Sequence, residues 1–306
     1  MIDRRQFSAG VLFTAFAAAT PAGSTPSSPG RREVLAALAQ LEVQSQGRLG
    51  VHIVGPNGQD YGYRSDERFM MLSSFKTLAS AFVLARADRG AEQLERRIRY
   101  GQQDLVDWSP VTKDHVDGEG LTLAELCHAA ITTSDNTAAN LILNSFGGPQ
   151  ALTRFLRQTG DRVTRLDRTE PELNRRDGVE PLDTTTPRAM AQTLKRFLTP
   201  GVLSAASRQL LQNWLLSNTT GGRRLKAGLP SGWMIGDKTG TNQTDANDVG
   251  VLFPPHGAPI YVSAYLAESS ASSAIKEQTL AEVGRIAARL REWRPGLVAR
   301  PNQGRA

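Results

Sequence analysis

The sequence predicts a two-lobed protein of the α/β (α+β) class, in which a five-stranded antiparallel sheet flanked by helices adjoins an all-helical lobe. Strand-like segments occur near both ends of the 306-residue chain, and the segments between them have helical periodicity. Strands so far apart in sequence can share one sheet only if the two ends of the chain meet in space. The length fits one large domain or two interleaved domains, at about 100–200 residues per domain.

The first predicted elements are a helix, a strand pair and a second helix. Apolar residues recur at helical spacing over 31–46, and the pattern ends before Gly47. Two strand-like runs, 49–54 and 61–64, flank a Pro-Asn-Gly turn. The next helix is predicted over 73–89, since apolar residues recur at helical spacing there until Gly90, which suits a helix end.

Helices fill the middle of the chain, and residues that favour helix ends mark their boundaries. Thr122 and Glu125 have the spacing of a capping box. Proline favours the first position of a helix, and glycine favours the position after its end. These signals predict helices over 126–131, 136–146 and 149–160, one that begins at 186–187, and one from 204 to 214.

Strand-like runs return near the end of the chain and complete the predicted sheet. They lie at 233–239, 248–253 and 260–266, and a last helix is predicted over 274–293. The predicted α/β lobe therefore comprises residues 31–66 and 217–293, the all-helical lobe comprises residues 67–216, and residues 294–306 form a flexible tail.

The first 30 residues are predicted to be an export signal. Arg4 and Arg5 precede a run of thirteen mostly apolar residues, 7–19, which is followed by small residues. The paired arginines fit a twin-arginine signal, although general secretory signals also begin with basic residues. The apolar run is shorter than the about 20 residues that span a membrane. We therefore expect the mature protein in the periplasm or the medium, without stable membrane association.

The charge and composition indicate a folded protein and give no support for nucleic-acid binding. The chain has 36 Lys and Arg against 30 Asp and Glu, a net charge of +6, and 40% hydrophobic residues. The basic residues occur as scattered pairs rather than as a basic helix or a stripe with interleaved aromatic residues. We expect no nucleic-acid partner. The single cysteine excludes an internal disulfide.

The first candidate for chemistry is Ser73, which lies three residues before Lys76 at the predicted start of a helix. A lysine on the same helix face can accept the proton of a serine if burial lowers its pKa, and this makes the serine a nucleophile. Taken alone, the pattern is more typical of a helix-capping serine followed by a surface lysine. Its meaning depends on the rest of the sequence.

Two further motifs accompany it. Ser134-Asp135-Asn136 precedes a helix, and Lys238-Thr239-Gly240-Thr241 lies on a predicted strand. Each has a structural alternative, since Ser134 could cap the helix and Lys238 could protect an edge strand. In this order, however, S-x-x-K, S-D-N and K-T-G are the motif set of class A β-lactamases and penicillin-binding proteins.

The sequence resembles class A serine β-lactamases from residue 31 to residue 293. The resemblance also includes the stretches 126–130, 134–140, 166–174 and 218–221. It implies the two-lobed serine β-lactamase/transpeptidase-like fold with a site in the cleft between the lobes. It also implies hydrolysis of the amide of penicillins and cephalosporins through a serine acyl-enzyme, with a monomeric protein.

The resemblance implies a role for each residue of acylation. Ser73 attacks the lactam carbonyl, and the backbone N–H groups of Ser73 and Thr241 form an oxyanion hole. Ser134 passes a proton to the departing nitrogen, while Lys76 and Lys238 hold its hydroxyl. Whether Lys76 or Glu170 is the base of this step stays open.

The remaining roles concern deacylation and substrate binding. The resemblance assigns Glu170, held beside Asn174, to the activation of water, and it pairs Arg168 with Asp183 to fix that loop. An arginine with its neighbouring residues is expected to bind the carboxylate of the substrate. An asparagine and an aromatic residue at the cleft rim are expected to bind the acyl side chain of the substrate. The residues in question are Arg224, Lys238, Thr239 and Thr241 for the carboxylate, and Asn136 and Trp108 for the side chain.

No metal or cofactor is predicted, since the four histidines lack the spacing of metal ligands. Cys127 matches half of a cystine found in relatives, but the partner position is Ser80, so we expect a buried thiol.

Leu72 and Asn242 replace cysteines that flank the site of carbapenem-hydrolysing relatives, which argues against that activity. The loop at 242–245 is shorter than in many relatives, and the preference among cephalosporins stays open.

Three other functions have to be weighed against this one. A D-alanyl-D-alanine peptidase or penicillin-binding protein shares the serine, the lysine and the K-T-G strand but lacks the loop that carries Glu170. A non-catalytic β-lactam sensor would be acylated and then release its product slowly. A basic binding protein would leave all of the motifs unexplained.

Overall fold

The computed structural model describes residues 30–56, 59–176 and 181–290. The predicted export signal, the centre of the first turn at 57–58, the last residues of the predicted final helix and the tail at 294–306 lie outside the described residues. No helix in the described part of the chain is both long and apolar enough to cross a membrane.

The described strands include the five that the sequence predicts and four short ones that it does not. They are β1 (Arg48–Val54), β2 (Asp60–Tyr63), β3 (Phe69–Met70), β4 (Arg97–Ile98), β5 (Leu121–Thr122), β6 (Thr184–Thr185), β7 (Met234–Thr241), β8 (Ala246–Phe253) and β9 (Ile260–Ala267). The main sheet has the order β2-β1-β9-β8-β7, with every pair antiparallel. The predicted five-stranded sheet is confirmed, and β1 pairs with β9 as the meeting of the two chain ends requires.

The helices lie where the periodicity places them, with ends that differ by a few residues. They are α1 (Arg31–Gln44), α2 (Phe75–Ala87), α3 (Leu123–Thr132), α4 (Asn136–Ser145), α5 (Pro149–Gln158), α6 (Pro187–Leu198), α7 (Ala205–Leu216) and α8 (Ser273–Arg289). The capping box is present, because the Glu125 N–H donates to Thr122 Oγ1 at 3.2 Å and the Thr122 N–H donates to Glu125 Oε2 at 2.7 Å.

The two faces of the main sheet pack against different helices. Alternate residues such as Val51 and Ile53 pack with α1 and α8 on one face. On the other face, Val249 and Tyr265 belong to a core that continues into α2–α7. Helix α6, which the sequence assigns to the all-helical lobe, packs directly on β1, β8 and β9. The predicted lobe boundaries stay a prediction.

Two features of the fold position the site. Helix α2 is buried on nearly all sides, which makes it the central helix of the larger core. Strand β7 passes so close to the turn before α2 that a Cβ on Gly240 would lie 2.9 Å from Leu72 Cβ and 3.0 Å from the Met71 carbonyl oxygen. Glycine at position 240 therefore allows the K-T-G strand to pack against the turn that carries Ser73.

Candidate active site

Ser73 lies in a 3-10 turn, Leu72–Ser74, immediately before α2 rather than in the first turn of the helix itself. The turn is tight because the Ser74 N–H and the Ser74 hydroxyl both donate to the Met71 carbonyl, at 3.1 and 2.7 Å. Leu72 has a φ of +48°, an uncommon conformation for a residue with a branched side chain. The Ser73 hydroxyl is left half-exposed at the cleft, where it donates to Glu170 Oε1 at 3.4 Å.

Lys76 is fully buried, so the alternative of a surface lysine is wrong. Its Nζ donates to Asn136 Oδ1 at 2.6 Å and to the Ser134 carbonyl at 2.9 Å, and it lies 3.1 Å from Glu170 Oε1. Burial lowers the pKa of the Lys76 amine, and the Glu170 carboxylate opposes this shift. Glu170 Oε1 therefore receives both the Ser73 hydroxyl and the Lys76 amine.

Ser134 lies between two buried lysines. Lys76 Nζ is 3.4 Å from Ser134 Oγ, and Lys238 Nζ donates to the same oxygen at 3.0 Å. Lys238 is fully buried although β7 is an edge strand, so it does not protect that edge from solvent. Burial and the positive charges of Lys76 and Arg224 lower the pKa of Lys238 well below its usual value.

Asp135, and not Ser134, caps helix α4. Its Oδ1 accepts the Ala138 N–H at 2.8 Å, and its Oδ2 accepts the N–H groups of Val111 and Thr112 at 2.9 Å each. Ser134 is therefore free of a capping role and adopts a φ of +62°. The same carboxylate fixes the segment that carries Trp108, whose side chain is 66% exposed at the cleft rim.

Glu170 lies in the segment between α5 and β6, residues 159–183, called here the Glu170 loop. Its side chain is buried, and Asn174 Nδ2 donates to Glu170 Oε2 at 2.6 Å. The Asn140 side chain accepts the Glu170 N–H and donates to the Glu170 carbonyl, at 2.9 Å each. These two hydrogen bonds are called here the Asn140 clamp. The reading of Glu170 as a solvated loop residue is wrong.

The ion pair that the resemblance implies is present and joins Arg168, before Glu170, to Asp183 at the end of the loop. Arg168 Nε donates to Asp183 Oδ2 at 2.6 Å. Asp183 is fully buried, and its other oxygen accepts the N–H groups of Asp167 and Arg168 at 2.8 and 2.9 Å. The buried Asp183 carboxylate thus accepts three hydrogen bonds, one of them from a cation, and these fix the loop on which Glu170 depends.

Arg224 reaches the far end of the cleft from the segment after α7, and most of its side chain is already bonded. One terminal nitrogen donates to the carbonyls of Gly240 and Asn247 at 2.9 and 2.7 Å, and the other donates to Thr241 Oγ1 at 2.6 Å. The bidentate fork expected from the sequence is therefore not free for an anion. Arg224 supplies a buried positive charge and aims the Thr241 hydroxyl.

Two threonine hydroxyls lie at the same end of the cleft as Arg224. Thr239 and Thr220 share a hydrogen bond of 2.5 Å, and Thr220 is held by Asn218. Behind them lie two buried carboxyl groups, Asp237 and Asp248, and burial raises the pKa of both.

The predicted residues converge on one cleft of about 440 Å³, a size typical of small-molecule sites, about 300–1,000 Å³. It is lined by Ser73, Trp108, Ser134, Asn136, Asn174, Thr220, Arg224, Thr239, Gly240 and Thr241. Eight of the eleven predicted site residues are in this lining, and Lys76, Glu170 and Lys238 lie buried behind it. Sequence reasoning assigned no role to Thr220 or Asn140, although both lie in the stretches 218–221 and 134–140 that resemble the family, because their roles depend on contacts made only in the fold.

Within the described residues, no group of three or more His, Cys, Asp or Glu side chains is placed to hold a metal ion. Cys127 is buried as predicted, and burial raises the pKa of its thiol to about 12. This thiol lies in the core of α3 and takes no part in the cleft.

Comparison with known proteins gives one consistent result. The sequence model of the Beta-lactamase enzyme family matches residues 32–290. Beta-lactamase L2 from Stenotrophomonas maltophilia is 45% identical over 302 residues, which cover 95% of this chain and 99% of that protein. An ancestral (GNCA) class A β-lactamase superposes with a TM-score of 0.81 at 56% identity, covering 83% of this chain and 98% of that one.

A further solved structure, described as a class A β-lactamase PenP from Rhodopseudomonas palustris, has a TM-score of 0.81 and 51% identity. It covers 83% of this chain and 98% of its own. The similarity therefore extends through the sequence, the fold and the region of the cleft.

Proposed function

The chain belongs to the β-lactamase enzyme family and is a class A serine β-lactamase that hydrolyses β-lactams; on this premise we propose that Ser73 is the nucleophile and Glu170 the base of deacylation. The observation that carries the assignment is one continuous network on the cleft wall. Ser73 and Lys76 meet at Glu170 Oε1, and Lys76 and Lys238 meet at Ser134 Oγ.

Acylation follows from this network. Ser73 Oγ attacks the lactam carbonyl, and its proton enters the pair formed by Lys76 and Glu170. The carbon–nitrogen bond of the lactam breaks, and Ser134 gives its proton to the departing nitrogen. Burial lowers the pKa of Lys76, which makes its amine a better proton donor, and it lies 3.4 Å from Ser134 Oγ, where it resupplies that proton.

The negative charge on the attacked carbonyl needs fixed donors, and the backbone N–H groups of Ser73 and Thr241 are assigned this role. The close contact of Gly240 with the turn at Leu72 supports it, because that contact holds strand β7 beside Ser73. Loss of one such donor typically costs about 10²–10³ in rate.

Deacylation requires a water next to the ester. Asn174 and Glu170 hold their amide and carboxylate 2.6 Å apart beside Ser73. Glu170 takes a proton from a water bound beside this pair, and the hydroxide attacks the ester carbonyl. The ester carbon–oxygen bond then breaks, and the proton on Glu170 passes to Ser73 Oγ, which lies 3.4 Å from Glu170 Oε1. The peptidase lacks the loop that carries Glu170, and a base beside the ester favours turnover over the slow release of a sensor.

Substrate binding is divided between the two ends of the cleft. Thr239 and Thr241 hydrogen-bond the carboxylate of a penicillin or cephalosporin, and the buried charge of Arg224 attracts it. The bound carboxylate in turn favours the charged form of the neighbouring Lys238 amine. Asn136 binds the amide of the acyl side chain, and Trp108 covers that side chain at the rim.

Turnover of a chromogenic cephalosporin tests the assignment, with Ser73→Ala as the variant and Ser74→Ala as its matched control. The neighbouring Ser74 hydroxyl is buried and bonds to Met71 and Tyr265. Its loss leaves the Ser74 N–H bonded to the Met71 carbonyl, so the turn and the Ser73 nucleophile should be retained. We expect Ser73→Ala to lose both turnover and the covalent adduct, and Ser74→Ala to retain both. A single stoichiometric burst from the wild type, without turnover, would favour the sensor or the peptidase.

We also assign the protein to the periplasm or the medium, as a monomer, after removal of its first 30 residues. The support is the basic, apolar and small-residue order of that segment. Replacement of Arg4 and Arg5 by Lys should block export if the twin-arginine route is used. N-terminal sequencing of the exported protein locates the cleavage site, and its elution volume in gel filtration gives its oligomeric state.

A further inference from the structure

A chain of hydrogen bonds at the Arg224 end of the cleft determines where two hydroxyl protons point. It runs from the buried Asp237 through Asn218 and Thr220 to Thr239, and both threonines line the cleft. A threonine hydroxyl has one hydrogen to donate, and an asparagine amide has an acceptor oxygen and a donor nitrogen. The first bonds of the chain therefore decide the direction of the later ones.

Two independent partners fix the orientation of the Asn218 amide. Its Nδ2 donates to Asp237 Oδ2 at 2.6 Å, and its Oδ1 accepts the backbone N–H of Thr220 at 3.1 Å. A reversed amide would turn its nitrogen toward the Thr220 N–H, so that two donors would face each other. The atom of Asn218 that faces Thr220 is therefore the oxygen, which can only accept.

The proton of Thr220 is committed to this oxygen, and that commitment fixes the proton of Thr239. Thr220 Oγ1 donates to Asn218 Oδ1 at 2.8 Å. Thr220 Oγ1 also lies 2.5 Å from Thr239 Oγ1, so in this second bond Thr220 has to accept and Thr239 has to donate. The single proton of Thr239 therefore points to Thr220 rather than to a ligand in the cleft.

Thr241, two residues further along β7, is in the opposite state. Its oxygen accepts from Arg224 Nη2 at 2.6 Å, and this bond does not use the proton of Thr241, which can be donated to an acceptor in the cleft. A carboxylate can take the Thr239 proton only if that hydroxyl turns away from Thr220. The two hydroxyl oxygens would then face each other without a proton between them, or Thr220 would lose its bond to Asn218.

We propose that Thr220 competes with the substrate carboxylate for the proton of Thr239 and so weakens carboxylate recognition by this enzyme. The inference rests on the proposed function, in which Thr239 and Thr241 bind that carboxylate. Thr241 is a donor before the substrate arrives, whereas Thr239 becomes a donor at the cost of one hydrogen bond. Thr220 acts through Thr239, so it is a positioning residue.

The test compares a penicillin with its methyl ester, and the measured quantity is the ratio of their kcat/KM values. Thr220→Val keeps the shape of the side chain and removes the competing acceptor, while Asn218 Oδ1 still accepts the N–H of residue 220. We expect the ratio to rise in favour of the carboxylate by about three- to tenfold, the factor that one neutral hydrogen bond contributes. Thr220→Ala, which lacks the same hydroxyl, should change the ratio in the same direction. Thr220→Ser retains the hydroxyl and should keep the wild-type ratio.

The matched control is Thr219→Val, the same substitution at the preceding position. The Thr219 hydroxyl donates to the Thr132 carbonyl at 2.8 Å, and the Thr219 N–H, which donates to the same carbonyl at 3.0 Å, is retained in the variant. Thr219 is not among the residues that line the cleft, so we expect an unchanged ratio.

An unchanged or lower ratio in Thr220→Val with intact turnover would overturn this inference alone, and so would an equal rise in Thr219→Val. Absence of turnover by the wild type would overturn the proposed function and this inference with it.

Discussion

Replacement of Glu170 by Gln tests the mechanism most directly, because it removes the carboxylate and leaves the shape of the site. The Asn140 clamp acts on the backbone of residue 170 and is retained. The glutamine oxygen can still accept the Asn174 amide, which lies 2.6 Å from Glu170 Oε2. The loss then falls on proton transfer rather than on the conformation of the loop.

The expected magnitude follows from the role of a general base, which contributes about 10²–10⁴ in rate, or about 3–5 kcal/mol of barrier. None of the described residues that line the cleft carries a carboxylate that could replace Glu170, so deacylation should bear this whole loss. Acylation should lose less, since the buried Lys76 amine remains to accept the Ser73 proton. The acyl-enzyme should therefore accumulate.

Removal of the Glu170 charge also changes the titration of Lys76. Burial lowers the pKa of this amine, and the nearby carboxylate partly offsets that effect by favouring the charged form. Without the carboxylate the pKa of Lys76 should fall further, so the neutral amine persists to lower pH. The acid limb of the acylation rate should therefore move to lower pH in Glu170→Gln.

Intact-protein mass spectrometry after mixing with a penicillin detects the adduct, and stopped-flow absorbance gives the burst and the steady state. Glu172→Gln is the matched control, since Glu172 is an exposed glutamate of the same loop. We expect a persistent adduct in Glu170→Gln and normal turnover in Glu172→Gln. Release of the adduct from Glu170→Gln at the wild-type rate would refute the assigned role, and so would complete loss of acylation with a folded protein.

Three further outcomes follow from the structure. Arg224→Ala removes the charged hydrogen bond that aims the Thr241 hydroxyl at the substrate carboxylate. It should weaken a carboxylate-bearing substrate by about 1.5–3 kcal/mol in kcat/KM, as expected for a hydrogen bond that involves a charge, and should affect the methyl ester of that substrate less. Equal losses for both would assign Arg224 to structure alone, through Gly240 and Asn247. Burial raises the pKa of the Cys127 thiol to about 12. This thiol should therefore resist a thiol reagent at pH 8 in the native protein and react in denaturant. Rapid labelling of the native protein would contradict its burial. Phe155 is 1% exposed and stacks on Phe82 with ring centroids 4.3 Å apart. Phe155→Ala should therefore lower the free energy of unfolding, measured by denaturant titration, by about 3–5 kcal/mol, and Phe155→Leu should lower it by less. Equal small losses for the two variants would contradict this packing.

The sequence by itself determined the order of the helices and main strands, because apolar periodicity and helix-end residues are local signals. Thr122 with Glu125, and the prolines at 149 and 187, mark helix starts that the structure retains. The three motifs were also local, since each requires particular residue types at short spacing. They identified the cleft residues Ser73, Ser134, Asn136, Thr239 and Thr241 before any contact was known, whereas Trp108, Asn174 and Arg224 followed from the wider resemblance.

Tertiary structure alone decided how those residues act together. The burial of Lys76 and Lys238, the bonds that occupy Arg224, and the Asn140 clamp on Glu170 all join segments that are far apart in the chain. The 3-10 turn at Ser73 likewise depends on the packing of strand β7 against Leu72. Desolvation and hydrogen-bond geometry depend on neighbours brought together by folding, and no pattern along the sequence records which neighbours these are.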